Sequence, residues 1–182
     1  MSRKYYILIV LVVVLAAAVI KQRLNNNRSS APPGYYRVSK FVDGDTLAVD
    51  MNGQSQKVRF IGVDTPETHD PRKAVQCYGQ VAADFTKSFV GRQPVRLVAD
   101  PLDTNRDRYD RLLRYVYLPD GTLLNEELIK RGYGFAYIGF PFTKTQLFKQ
   151  DQQQAQTQRR GLWGVCHPTK NKYDGYTSND AN

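Results

Sequence analysis

The sequence predicts an α+β fold, mainly β, in which a five-stranded barrel carries three helices and an N-terminal hydrophobic helix precedes the barrel. Asp-Gly and Asn-Gly pairs at 43–44 and 52–53 lie between alternating or β-branched runs, which is a strong hairpin signal. Two of the three helical segments carry an apolar stripe at helical spacing. The length of 182 residues fits one such domain with appendages.

The elements follow in a simple order. Three strands come first, then a helix, two strands and two helices, and they are predicted at 35–42, 46–51, 57–63, 75–91, 94–99, 112–118, 123–131 and 143–160. Gly132 fits the C-terminal cap of the second of these helices. Five strands with a helix after the third favour a partly open barrel of the OB type, and such barrels bind oligonucleotides on one face.

The N-terminal segment, residues 1–24, is predicted to be a membrane anchor or a signal peptide. Arg3 and Lys4 precede an apolar run over 5–20, which would span about 24 Å as a helix, against roughly 30 Å for the hydrocarbon core. Alanines 16–18 also offer the small residues of a signal-peptide cleavage site, so both interpretations stay open. In either case we expect the folded domain to lie outside the cytoplasm, membrane-anchored or secreted.

The rest of the chain divides by composition. A polar linker is predicted at 25–34, the folded domain at 35–167 and a flexible polar tail at 168–182. The net charge is +9, but residues 31–182 hold 21 basic and 17 acidic groups, so the domain itself is only mildly basic. This charge fits a polyanionic substrate and equally fits a basic domain with no nucleic-acid role.

The chain contains two cysteines, Cys77 and Cys166. On an exported chain two thiols are expected to form one disulfide, which would tie the start of the first barrel helix to the end of the last. The alternative is two unrelated buried thiols. A Cys/His metal site is not expected, because neither His69 nor His167 has ligand spacing to a second Cys or His.

Asp45 and Asp64 are candidate metal ligands. Asp45 begins a strand just after a turn, and Asp64 follows a strand just before Thr65-Pro66. Two carboxylates and a carbonyl would suit Ca²⁺, with waters completing its six to eight oxygen ligands. Aspartates beside glycine are also common as plain turn residues. The density of hydrogen-bonding groups over 64–68 favours the functional interpretation.

Five further side chains have candidate roles. Glu67 is the best-placed general base, although an acid in the first turn of a helix would look the same. Arg59 and Arg111 are candidate phosphate clamps, because guanidinium groups stabilise the charge that develops on phosphoryl oxygens; solvated basic residues are the alternative. Tyr109 and Tyr137 are candidate substrate contacts, although packing at the barrel rim would also explain either.

Residues from about 36 to 166 resemble the staphylococcal nuclease (thermonuclease) family. The motifs are specific in combination, and they are Asp43-Gly44-Asp45-Thr46, Arg59 with Asp64-Thr65-Pro66-Glu67-Thr68, Asp107-Arg108-Tyr109-Asp110-Arg111, and Gly161-Leu162-Trp163. The resemblance implies an OB barrel whose Asp45, Asp64 and Thr65 carbonyl bind Ca²⁺. It further implies that Glu67 is the general base.

The remaining implied roles concern the substrate. Phosphate would bind to Arg59 and Arg111, and the nucleotide to Tyr109 and Tyr137. The implied activity is calcium-dependent endonuclease cleavage of DNA and RNA, single strands preferred, with 3′-phosphate ends. We expect a monomer without an obligate protein partner. The alternative is an exported OB module that binds single-stranded nucleic acid without cutting it.

Two positions depart from the family pattern. Asp110 stands where the family prototype has glycine, and the added carboxylate would weaken affinity for phosphate. Gly139 stands where the prototype has a second tyrosine, with Phe140 beside it as a substitute. Both departures bear on substrate affinity more than on catalysis.

Overall fold

The computed structural model describes residues 9–18, 31–68, 75–171 and 175–180. The chain divides into two compact units, Met1–Ala31 and Pro32–Asn182. In the first, residues 9–18 form helix α1, and its apolar side chains are exposed. Among the described residues, no helix has the length and apolar character needed to cross a membrane. Much of the predicted leader and linker lies outside the described residues.

The second unit contains a closed five-stranded barrel. Its described residues form the strands β1 (Tyr35–Phe41), β2 (Thr46–Met51), β3 (Gln54–Phe60), β4 (Val63–Asp64), β5 (Val95–Val98), β6 (Leu112–Tyr117), β7 (Phe135–Ala136), β8 (Thr169–Lys170) and β9 (Tyr176–Thr177). The barrel order is β1-β2-β3-β6-β5. Tyr35 and Tyr36 pair with β5 and complete the ring, so the barrel is closed rather than partly open as the sequence predicts.

The predicted helices are present with shorter bounds. They are α2 (Gly79–Val90), α3 (Leu124–Lys130) and α4 (Thr145–Thr157), and a fourth, α5 (Leu162–Val165), was not predicted. Helix α2 begins at residue 79 rather than 75, because Tyr78 has a left-handed backbone with φ 71° that cannot continue a helix. Gly132, with φ 74°, follows α3 as a C-terminal glycine.

Asn125 joins α3 to the barrel. Its fully buried side chain accepts a hydrogen bond from the Val116 amide at 2.9 Å and donates one to the Ile61 carbonyl at 2.9 Å. Because buried polar groups must be paired, these bonds fix where the chain leaves β3. Strand β4 then pairs with β7, which sets Asp64 opposite Phe135 at one end of the barrel.

The C-terminal segment differs from the predicted flexible tail. Strands β8 and β9 pair with each other, and Ser178 is buried. The ring of Tyr176 packs against Trp163 and Phe135, with centroids 4.9 and 6.1 Å away. Apolar contact of this kind offsets the entropy cost of ordering a polar segment, and composition alone does not show it.

Cys77 and Cys166 lie inside this C-terminal packing. Their sulfur atoms are at bonding distance, 2.09 Å, with Cα atoms 5.7 Å apart. They belong to a second apolar cluster, separate from the barrel core, that also includes Phe135, Leu162 and Tyr176. The two cysteines therefore hold the start of α2 against the C-terminal end of the domain.

Candidate active site

A polar pocket of about 240 Å³ lies at the end of the barrel where β4 begins. Its lining residues are Asp43, Asp45, Arg59, Asp64, Thr65, Pro66, Glu67, Tyr109 and Arg111. All but one of the predicted site residues thus lie around one cavity. The exception is Tyr137, which stands at 40% exposure outside the lining.

Asp45 is held rigidly at the floor of the site. Its Oδ2 accepts hydrogen bonds from the Thr65 amide at 2.9 Å and the Thr65 hydroxyl at 3.1 Å, and its Oδ1 accepts one from Thr46 at 3.0 Å. Gly44 makes this approach possible, because a Cβ there would lie 2.7 Å from the Thr65 hydroxyl oxygen. The turn before β2 and the segment after β4 therefore meet face to face.

Arg59 lies between the two candidate metal ligands. Its guanidinium is 3.1 Å from Asp45 Oδ2 and 3.1 Å from Asp64 Oδ1, and it donates to the Val63 carbonyl at 2.6 Å. Burial opposes the charge, but Asp45, Asp64 and Asp43 outweigh it and raise the pKa of Arg59 above its ordinary value. The arginine is a permanent cation aimed at the carboxylates.

Asp43 is a pocket residue that sequence reasoning assigned only to a turn. Burial, the adjacent charge of Asp45 and their hydrogen bond raise the pKa of Asp43 to about 7, although Arg59 opposes the shift. Its Oδ1 also accepts the Asp45 amide at 3.1 Å. The Asp-Gly-Asp spacing was the available signal, since it brings the two carboxylates to one side of a tight turn.

Glu67 is fixed through its backbone. Its amide donates to Gln76 Oε1 at 2.7 Å, and its carbonyl accepts the Gln76 amide at 2.9 Å. Gly79 packs against the Glu67 backbone, since a Cβ on Gly79 would lie 2.7 Å from the Glu67 carbonyl oxygen. The Glu67 carboxylate accepts the Thr68 amide at 3.0 Å through Oε1. Nothing in the sequence indicated Gln76, because its role rests on contacts across the fold.

Arg111 is oriented by Asp107, a residue that the sequence analysis left without a role. Asp107 Oδ2 accepts Arg111 Nε at 2.7 Å, and Asp107 Oδ1 accepts the Arg111 amide at 3.0 Å. Burial would raise the pKa of Asp107, but these bonds and one from the Tyr109 amide lower it below its ordinary value. Arg111 Nη1 makes a long contact of 3.5 Å with the Thr46 hydroxyl.

Tyr109 presents an exposed ring beside the arginines. It is 61% exposed, and the Cζ atoms of Arg108 and Arg111 lie 4.8 and 5.5 Å from its centroid. At the other candidate contact, the ring centroid of Tyr137 lies 5.9 Å from that of Phe140, which is 59% exposed. The two tyrosines therefore lie in separate loops, one before β6 and one after β7, and both rings are exposed to solvent.

Asp110 has a backbone conformation that favours glycine. Its φ is 62°, in the left-handed region that side chains disfavour. Its carboxylate is 86% exposed, lies 3.4 Å from Arg106, and is not among the lining residues. The added negative charge thus points to solvent and to a neighbouring cation.

The two carboxylates that are candidate metal ligands, Asp45 and Asp64, both line the pocket. Among the described residues, no group of three or more His, Cys, Asp or Glu side chains is close enough to hold a metal. Asp45 and Asp64 nevertheless converge on one positive group, the Arg59 guanidinium. Carboxylate oxygens are hard donors, which suit Ca²⁺ or Mg²⁺ rather than a thiophilic metal.

Comparison with known proteins agrees with this geometry. A family model described as "Staphylococcal nuclease homologue" matches residues 57–165, which is more than half of the chain. The chain belongs to the staphylococcal nuclease family.

Several members of the staphylococcal nuclease family are close to this chain. A thermonuclease of Staphylococcus hyicus is 44% identical over 129 residues, which cover 70% of this chain and 75% of that protein. A thermonuclease of Staphylococcus intermedius is 42% identical over 129 residues, with the same coverage. Endonuclease YncB of Bacillus subtilis (strain 168) is 40% identical over 128 residues, or 69% of this chain and 60% of that protein.

Proposed function

We propose that this protein is a Ca²⁺-dependent endonuclease that hydrolyses phosphodiester bonds in DNA and RNA and leaves 3′-phosphate ends. The observation that carries the proposal is the gathering of carboxylates and two arginines around one polar pocket. Carboxylates that bind a metal ion and guanidinium groups that stabilise phosphoryl charge occur together in sites of phosphoryl transfer. Relatives named thermonuclease and endonuclease support the same class of reaction.

Asp45, Asp64 and the Thr65 carbonyl would hold Ca²⁺. The support for this assignment is that all three residues line the same polar pocket. When bound, Ca²⁺ would act as a Lewis acid that neutralises charge on the phosphoryl group. Waters would complete its coordination, since two carboxylates and one carbonyl fall short of the usual six to eight ligands.

The chain's own residues would carry the proton and the charge. Glu67 accepts a proton from the attacking water as the water oxygen bonds to phosphorus. The bond from phosphorus to the 5′ oxygen then breaks, and that oxygen takes a proton from solvent. Arg59 and Arg111 donate hydrogen bonds to the phosphoryl oxygens, whose negative charge grows as the pentacoordinate transition state forms.

The substrate would be a single strand or a frayed end. Tyr109 lines the pocket with an exposed ring. Tyr137, which directly follows β7, offers a second exposed ring. Stacking on such rings is tolerant of base identity and contributes about 1–3 kcal/mol per base. A paired duplex would hide the base faces that these rings need.

The protein would act as a monomer.

The N-terminal segment would export the domain or tether it to a membrane. Its support is the run of apolar residues over 5–20 with basic residues on both sides. Alkaline carbonate extraction of cells that make the full-length chain tests this. Protein that stays with the membrane pellet indicates an anchor, a shortened protein in the medium indicates cleavage, and soluble cytoplasmic protein contradicts both.

The decisive experiment uses the compact unit Pro32–Asn182 and end-labelled single-stranded DNA. Cleavage is followed with Ca²⁺, with Mg²⁺ and with a chelator, and product ends are tested with a 3′-phosphatase. We expect calcium-dependent cleavage with 3′-phosphate ends, lost in Arg59→Ala and reduced about 10²-fold or more in Glu67→Gln.

Arg92→Ala serves as the matched control, because it removes an exposed arginine beyond the end of α2. It should cut at the wild-type rate. A Glu67→Gln protein with undiminished kcat refutes the assignment of the base. Binding of single strands without any cutting would instead make the protein a non-catalytic OB module.

A further inference from the structure

The C-terminal segment reaches the part of the chain that carries Glu67, through one glutamine. Gln76 contacts Glu67 twice, with its amide group and with its backbone. The same side chain donates from Nε2 to the Thr177 hydroxyl at 3.3 Å. One amide group therefore bonds Glu67 on one side and strand β9 on the other, across 101 residues of sequence.

Further bonds hold the C-terminal segment against this region. The Cys77 amide donates to the Asn179 carbonyl at 2.7 Å, and the buried Ser178 hydroxyl donates to the Cys77 carbonyl at 2.8 Å. Asn179 in turn donates to the Cys166 carbonyl at 3.0 Å. Residues 76 and 77 thus lie alongside residues 178–180, and Gln76 and Asp180 form an antiparallel β-bridge.

Apolar packing backs these polar contacts. Tyr176 lies against Trp163 and Phe135, and Phe135 pairs across β4–β7 with Asp64. The Cys77–Cys166 pair lies in the same cluster. The segment is therefore packed into the domain, and its hydrogen bonds to residues 76 and 77 lie beside a buried apolar surface.

We propose that residues 176–180, called here the C-terminal clasp, position the general base, and that Gln76 is the positioning residue through which they act. Glu67 lies at the pocket while Gln76 lies behind it, so the clasp touches no substrate. A base must stand within hydrogen-bond reach of its water, and a displacement of about 1 Å can cost about 10²-fold in rate. This role rests on the proposed function of Glu67.

The test uses the full-length chain and measures kcat and KM on single-stranded DNA with Ca²⁺. Gln76→Ala should lower kcat about 10- to 100-fold with little change in KM, because the pocket residues that bind phosphate stay in place. Gln76→Glu keeps the acceptor for the Glu67 amide but loses the donor to Thr177, so its kcat should fall between those of the wild type and Gln76→Ala. Gln80→Ala is the matched control, an exposed glutamine whose amide donates to Asp84 on the surface of α2.

A double-mutant cycle tests whether the clasp acts through Gln76. Thr177→Val removes the hydroxyl and keeps the shape, and it should lower kcat less than Gln76→Ala does. In the Gln76→Ala background it should cost nothing further, because the connection is already broken. The proposal would be overturned if the two substitutions lowered kcat independently, so that the loss in the double variant is the product of the two single losses. It would also be overturned if Gln76→Ala had the same kcat as the control Gln80→Ala.

Amide hydrogen exchange separates failure of the clasp from failure of the proposed function. Both Gln76→Ala and Thr177→Val should speed exchange at the Glu67 amide, whether or not the protein cuts DNA. Unchanged protection at Glu67 in both variants would overturn the clasp. Wild-type protein without nuclease activity would refute the positioning role together with the base assignment, and the exchange data would still report whether the contacts exist.

Discussion

At the scale of single residues, several side chains in the pocket owe their position to partners that carry no chemistry themselves. Arg111 is the clearest case, since its Nε and its backbone amide both donate to Asp107. The bond from Nε restrains the guanidinium, and the bond from the amide holds the Asp107 carboxylate against the Arg111 backbone. Together they limit where the terminal nitrogens of Arg111 point. If Arg111 binds phosphate as proposed, that affinity would depend on an aspartate outside the pocket lining.

We expect Asp107→Asn to lower kcat/KM on single-stranded DNA by about 10-fold or more, because the neutral amide cannot hold the guanidinium in the same orientation. Steady-state kinetics with thermal unfolding as a fold check would measure this. Asp103→Asn is the control, since the half-buried Asp103 carboxylate accepts the neighbouring Thr104 amide at 2.7 Å and does not line the pocket. Equal kinetics in the two variants would show that Arg111 needs no such anchor.

Asp110 offers a residue-scale prediction about stability. Glycine adopts φ 62° without strain, so Asp110→Gly should raise the free energy of unfolding by about 0.5 kcal/mol. The KM for DNA should change by less than about twofold, because an exposed charge is screened by solvent. Urea denaturation and steady-state kinetics check both. Asp120→Gly, at an exposed turn with ordinary backbone, should destabilise the protein instead.

At the scale of elements, helix α4, which packs on α3, carries a buried carboxylate with one oxygen left unpaired. Asp151 is buried, and among the described residues its Oδ2 has no hydrogen-bond partner. Burial, Glu126 and Glu127 raise the pKa of Asp151, while Lys130 and Arg160 oppose the shift. A folded-state pKa above the unfolded value means that the folded protein loses stability as pH rises through that pKa.

Asp151→Asn should therefore raise the melting temperature at pH 7 to 8, because it removes a charge that the fold disfavours. The gain should shrink as pH falls toward the pKa of an unfolded aspartate, about 4, where the wild-type carboxyl is protonated too. Calorimetry across this pH range measures the difference. Asp84→Asn, on the exposed face of α2, should show no such trend. A higher melting temperature for the wild type than for Asp151→Asn at pH 7 would contradict this prediction.

At the scale of the whole molecule, one cross-link joins distant parts of the chain. Cys77 and Cys166 are 89 residues apart in sequence. In the chain-entropy model, closing a loop of this length contributes up to about 4–5 kcal/mol by restricting the unfolded state. Cys77 also bonds Ser178 and Asn179 of the C-terminal clasp, so under the proposed role of the clasp the link would support both stability and the position of Glu67.

Replacing both cysteines by serine should lower the free energy of unfolding by about 2–4 kcal/mol, measured by urea denaturation, since measured losses usually fall below the model value. Reductant should lower the stability of the wild type by a similar amount and leave the double variant unchanged. A wild type that is indifferent to reductant would mean that the thiols are not bonded in solution.

The sequence by itself determined the class of fold and the chemical content of the site. Hairpin turns at 43–44 and 52–53 and the order of elements predicted the barrel, because these signals are local and depend on backbone conformations that few residues adopt. The candidate metal ligands, general base and phosphate-binding arginines could be predicted from the sequence for the same reason. Their residue types limit the chemistry, and motifs over 43–46 and 64–68 hold them close in sequence.

Only the tertiary structure decided how those residues are held. The anchoring of Arg111 by Asp107, the closure of the barrel by β1 and β5, and the packing of residues 176–180 were not predicted. Gln76 is the extreme case, since its bonds reach 9 residues back to Glu67 and 101 residues forward to Thr177. Contacts at such separations leave no local pattern, because they arise only when burial elsewhere in the fold brings the partners together.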